Sequence, residues 1–182
     1  MIKRLLATLF PLVFMPYMIF AISLGTIQKN PSQYEKVFED AAWTTYVDTN
    51  SIESLRYSPP YYTLKAKFYN ISYSEEQILE LNIVFDYDYN YSAETMSEKI
   101  GKDYPYYSVN EKFKLLIRSM DKNSGMTFCI NEPHVWTLDG SDAGTRPPYH
   151  RTKCSPSSIA YKLGSYIFSK YYDRTFGIIP IK

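Results

Sequence analysis

From Leu79 to Tyr91 the odd positions read Leu, Leu, Ile, Phe, Tyr, Tyr, Tyr, while the even positions read Glu, Asn, Val, Asp, Asp, Asn. A period of two places apolar residues on one face of a strand and polar residues on the other. The preceding segment repeats the pattern, with Tyr62, Leu64, Ala66 and Phe68 alternating against Thr63, Lys65 and Lys67. Ser74 to Gln77 supplies a turn between them, so the two strands pair antiparallel. Directly opposed residues share a face and their numbers keep a constant sum. An even sum would set Lys65 against an apolar residue such as Phe85. An odd sum near 151 sets Lys65 against Asp86, Leu64 against Tyr87 and Phe68 against Ile83. A 13-residue strand is long for a small domain, so a bend or bulge is expected near Tyr87.

The flanking segments are read by the same means. Ser32 and Glu35 have capping-box spacing, which predicts a short helix to about Glu39. Trp43 to Asp48 reads as a strand, and Ser58-Pro59-Pro60 breaks the chain after it. Ser92 as cap and Gly101 as stop predict a short helix. Lys112–Met120 and Met126–Asn131 read as a second hairpin, Val135–Leu138 as a further strand and Gly140–Pro148 as loop. The last element is a helix capped by Ser155, with Pro156 at its first position, running to about Tyr172. Ile159, Leu163 and Ile167 recur on one side of it, beside the small residues Ala160 and Gly164, and that side is expected to lie on the sheet.

The N-terminus changes the picture of where the domain works. Lys3 and Arg4 precede an uncharged run from Leu5 to Ile22, and small residues follow at Ala21, Ser23 and Gly25. Residues 1–25 thus read as a secretory signal, with a mature chain from Leu24 or Thr26. An uncleaved membrane anchor is the alternative, because the run is long enough to span a bilayer. Thr26 stands where a lipoprotein would need cysteine. Residues 26–182 form one exported domain, periplasmic or extracellular. Export would favour joining the only two cysteines, Cys129 and Cys154, in a disulfide worth ~3.5 kcal/mol in the chain-entropy model.

Composition removes several functions. Twenty basic residues against 19 acidic ones leave no broad positive face for nucleic acid. No phosphate loop, dinucleotide fingerprint or Gly-x-Ser-x-Gly elbow occurs, and no cofactor is implied. His134 and His150 with Glu132 and Asp139 lack metal-ligand spacing and read as isolated loop residues, with no metal expected. Asp86 and Asp88 share a strand face; they read as a solvated face neutralised by Lys65 and Lys67, with a paired-acid enzyme site as the rival. The chain holds 19 tyrosines. Tyr87, Tyr89 and Tyr91 end the alternating strand, and Tyr104, Tyr106 and Tyr107 cluster around Pro105. Tyrosine offers rigid contact area with a polar tip. These six are the candidate binding residues, against the plainer reading that they rim the core.

Trp43 and Tyr46-Val47-Asp48-Thr49-Asn50-Ser51-Ile52, the long alternating strands, Phe128-Cys129 at a strand end and Ser155-Pro156-Ser157-Ser158 before a terminal helix together resemble the surface-adhesin protein E family of exported bacterial proteins. The resemblance implies a small antiparallel sheet with a C-terminal helix against one face, and a homodimer. Some members of that family bind host matrix proteins. The expected class is therefore α+β: a single antiparallel sheet, a C-terminal helix on one face and one disulfide. The expected function is a non-catalytic, adhesin-like module meeting a protein or glycan at the cell envelope. The alternatives are a small periplasmic enzyme with a carboxylate and tyrosine site, and a membrane-tethered envelope protein.

Overall fold

The computed structural model describes residues 21–178. A seven-stranded antiparallel sheet carries its C-terminal helix and two others on one face, as the α+β reading expects, and a short N-terminal helix on the other. Strands β1 (Tyr34–Glu39), β2 (Thr44–Ser58), β3 (Tyr61–Ser72), β4 (Gln77–Asp88) and β5 (Met126–Thr137) follow one another across the sheet. The far edge of β5 is shared by β6 (Asp142–Thr145) and β7 (Tyr149–Lys153). Between β4 and β5 lie a 3-10 turn at Tyr89–Tyr91, α2 (Ala93–Asp103) and α3 (Val109–Lys122). Helix α1 (Leu24–Lys29) precedes the sheet and α4 (Ile159–Tyr172) follows it.

The alternation does what it predicts. Tyr62, Leu64, Ala66 and Phe68 on β3 and Leu81, Ile83, Phe85 and Tyr87 on β4 form the buried face, and α4 packs there through Leu163, Ile167 and Phe168. The β3–β4 register has the expected odd parity but a sum of 149, not 151: Leu64 lies opposite Phe85, and Lys65 opposite Val84. Moving by two residues keeps every side chain on its face, so the face pattern cannot distinguish the two. The turn, Tyr73–Glu76, lies one residue earlier than the expected Ser74–Gln77, and that lowers the sum by two. The chain leaves the sheet at Tyr89, two residues after the expected bend.

Three local readings are overturned. Residues 34–39 form strand β1, not a helix, because they ladder onto β2 from Tyr34 opposite Asp48 to Glu39 opposite Thr44. Glu35 does not reach back to cap; its carboxylate meets Lys170 Nζ at 2.6 Å and the Tyr166 hydroxyl, tying β1 to α4. Lys112–Met120 is helical, not a strand. The capping box is there instead: Ser108 Oγ accepts from Glu111 N–H, and the Glu111 carboxylate accepts from Ser108 N–H at 2.8 Å. Leu116 and Met120, four apart, point into the core. The cap of α4 is Ser158, not Ser155; Ser155–Ser158 makes a turn, and Ile159 at the new first position is exposed. Lesser shifts are that α2 runs past Gly101 to Asp103, Val135–Thr137 continues β5, and the 140–148 segment contains β6.

The expected disulfide is absent. Cys129 pairs with Val84 and faces away from the helices, whereas Cys154 is buried among Tyr87, Met126 and Tyr161 beneath them. The two thiols lie on opposite faces of the sheet, and that parity forbids a bond without unpairing β5. Burial pushes the Cys154 thiol up to about 12, which leaves it protonated and unreactive at neutral pH. In native protein, maleimide is expected to modify Cys129 and spare Cys154, with both reacting in urea. Reductant should leave the urea midpoint unchanged; two thiols that stay unreactive in urea until reduced would contradict the arrangement.

The expected leader, residues 1–25, lies mostly outside the described residues. Its last positions do not. Ile22 is buried against Ile27, Ile71, Ile78 and Trp136 on the outer face, Ser23 caps α1, and Leu24 N–H donates to Leu138 C=O at 3.0 Å. A chain starting at Leu24 or Thr26 would lose Ile22 and that cap.

Candidate functional sites

The six tyrosines divide into two groups. Tyr87 and Tyr89 are core residues: the Tyr87 hydroxyl donates to Gly164 C=O at 2.8 Å, and Tyr89 stacks on Phe168. Burial pushes the Tyr87 phenol well up and the Tyr89 phenol up to about 12, so both stay neutral. Tyr91 is half-buried. Tyr104, Tyr106 and Tyr107 instead form the exposed turn between α2 and α3. Tyr104 and Tyr107 lean together at 5.0 Å, and Tyr106 is 98% exposed. The exposed apolar residues continue along α3 through Val109 (83% exposed), Phe113 and Ile117. Their four-residue spacing puts them on one side of the helix. Sequence reading missed these three because it took part of the segment for a strand.

Asp86 and Asp88 do border a pocket, of about 250 Å³, with Arg56, Tyr61 and Lys153. Their bonds are structural. Asp86 accepts from the Thr63 hydroxyl at 2.8 Å and the Thr127 hydroxyl at 3.3 Å, and it meets the Arg151 guanidinium. Asp88 accepts from Asn90 N–H at 3.1 Å, which shapes the turn that follows β4. Lys65 and Lys67 do not neutralise this pair as expected: Lys65 approaches Glu53 at 3.9 Å, and Lys67 meets Glu80 at 2.7 Å. The two-residue register shift accounts for that. His134 contacts Asp142 at 2.9 Å and packs at a tilt against Trp136, while His150 is exposed on β7. Among the described residues, no group of three or more His, Cys, Asp or Glu could hold a metal ion.

A second concavity was not foreseen. The outer face of the sheet is covered at one end by α1, and a cavity of about 440 Å³ lies there between α1 and β1–β5. Register builds it. Tyr34, Asp48 and Lys67 form one cross-strand row, and Tyr69 and Glu80 form the next. Trp136 on β5 closes the side. The Trp136 indole N–H donates to Glu80 at 3.0 Å. Burial pushes the Tyr34 and Tyr69 phenols up, and the charges of Asp48 and Glu80 push the same way.

No family model, curated protein or solved structure matches the chain. Among the described residues, no helix is long and apolar enough to cross a membrane.

Proposed function

We infer that the chain is a non-catalytic, exported interaction module, adhesin-like in its mode of action, that meets a protein or glycan partner at the cell envelope. Export rests on the charged start and uncharged run of residues 1–25. The observation that carries the interaction reading is the corner formed by Tyr104, Tyr106, Tyr107, Val109, Phe113 and Ile117. Large apolar residues left in water side by side mark contact surfaces, whereas scattered ones do not. Tyrosine on a short turn loses little conformational freedom on binding, which suits it to an anchor.

The enzyme reading has one observation in its favour, the pocket that holds both Asp86 and Asp88. Against it, Asp86 already accepts from two hydroxyls and faces a guanidinium, a setting that holds an anion rather than one that poises a base.

The test is binding of the purified chain to arrays of extracellular-matrix proteins and of glycans. At least one component is expected to bind, and the double variant Tyr106→Ala/Phe113→Ala should weaken it by about tenfold or more, as loss of a central anchor does. Both positions are surface residues, so the fold should survive, as circular dichroism would register. No binding, or binding untouched by the double variant, would refute the assignment.

A further inference from the structure

The cavity beneath α1 combines features found together nowhere else among the described concavities. Its three charged groups are Asp48, Lys67 and Glu80. Glu80 is already balanced, with one carboxylate oxygen on Lys67 Nζ at 2.7 Å and the other on the Trp136 indole. Asp48 is not. Its Oδ1 accepts from the Gln33 side-chain amide and from Asn50 N–H, both at 3.1 Å, and neither donor carries charge. The wall therefore holds one uncompensated negative charge.

Two further groups have spare capacity. Tyr69 is 4% exposed and Tyr34 is 9% exposed, and both line the cavity. Neither phenol hydroxyl has a hydrogen-bond partner among the described residues, and neither is a fully buried unpaired atom, so both are free to bond to what occupies the cavity they line. The rings of Tyr34 and Tyr69 meet edge to face at 5.7 Å, and Ala21, Ile22 and Trp136 complete an apolar lining.

We propose that this cavity binds a small organic cation through its ammonium group, with Asp48 as counter-ion and the hydroxyls of Tyr34 and Tyr69 as acceptors. An ammonium brings three donors and one positive charge, which matches three free acceptors and one free negative charge. The electron-rich faces of the aromatic rings favour the same ligand. A carboxylate or phosphate would meet Asp48 with like charge. A neutral sugar would use the hydroxyls but leave the charge of Asp48 unanswered. The volume falls in the range of ordinary small-molecule sites, about 300–1,000 Å³. This site is separate from the α2–α3 corner, but Ala21 and Ile22 line it, so it belongs to an exported chain that keeps its leader as an anchor and not to one cut at Leu24 or Thr26.

The experiment is calorimetric titration of the full chain, held in solution by a non-ionic detergent, with phenethylammonium, 2-phenylethanol, phenylacetate and glucose. Phenethylammonium is expected to bind about tenfold or more tightly than the isosteric alcohol, a preference that the single ion pair can supply. Asp48→Asn keeps the Oδ1 acceptor and removes the charge, so it should abolish that preference. Tyr69→Phe should weaken phenethylammonium binding several-fold with an unchanged circular dichroism spectrum. Uptake by micelles is common to all variants and drops out of the comparison. Equal binding of amine and alcohol, an amine preference that survives Asp48→Asn, binding of glucose alone, or no saturable heat with any probe would each overturn the proposal.

Discussion

Phe168→Ala is expected to destabilise the protein by about 3–5 kcal/mol, the range for truncating a fully buried phenylalanine. Phe168 has no exposed surface and stands where α4 meets the sheet. Five other rings surround it: Tyr62, Tyr87, Tyr89, Tyr172 and Phe176, with centroids between 4.8 and 5.6 Å away. The rings come from β3, β4, the 3-10 turn, α4 and the segment after it, so few can move into the space without disturbing two elements at once. A rigid wall collapses poorly, which puts the cost toward the upper part of that range. Urea unfolding monitored by circular dichroism measures it. A loss below about 1 kcal/mol would mean that α4 does not rest on the sheet as described.

The same cluster explains why the tyrosine signal in the sequence was ambiguous. Alternation identified Tyr87 as belonging to the apolar face, but composition cannot tell a buried phenol from an exposed one. The helix decides, by burying Tyr87 and giving its hydroxyl the Gly164 carbonyl. Gly164 has its own reason to be small: a Cβ there would stand 2.5 Å from Met126 Sδ and 2.8 Å from the Phe85 ring. Small residues on one side of the last helix were legible as a close approach, and Gly164 makes that approach.

What failed in the reading failed for identifiable physical reasons. Strand β1 satisfies a helix capping spacing locally, yet its conformation is set by pairing with β2, through contacts that reach from Glu39–Thr44 out to Tyr34–Asp48 and that propensity cannot weigh. Helix α3 was legible and missed: Ser108 and Glu111 have the capping spacing, and Leu116 and Met120 lie one turn apart. The disulfide was inferred from a compartment argument alone. Parity already spoke against it, since Phe128 and Ile130 face the core and leave Cys129 between them facing out. The cavity beneath α1 was beyond local reading, because Tyr34, Asp48, Lys67, Glu80 and Trp136 come from five strands and only the register brings them together.

Gly125→Ala should produce the second large loss, about 2–5 kcal/mol, from two sources that can be separated. Gly125 has φ of +66°, where an L-residue with a Cβ costs about 1–2 kcal/mol. The added Cβ would also stand 2.6 Å from Tyr91 Cβ and 2.7 Å from the Asp88 carbonyl, and forced shifts of this kind typically cost about 1–3 kcal/mol. The backbone has little freedom to yield, because Asp88 N–H donates to the Gly125 carbonyl at 2.7 Å and Gly125 N–H donates to Asn123 Oδ1 at 3.0 Å. Asparagine tolerates positive φ but carries the same Cβ, so Gly125→Asn divides the two terms. If collision dominates, Ala and Asn should lose similar stability in urea; if backbone strain dominates, Asn should recover most of the loss. Collision is the expected winner, since one of the two close atoms is the backbone carbonyl of Asp88, whose N–H is already tied to Gly125. The residue therefore fixes how the start of β5 sits against the end of β4, and with it the shape of the pocket that contains Asp86 and Asp88. A loss under about 0.5 kcal/mol in both variants would show that this junction yields freely and that the pocket has no fixed form.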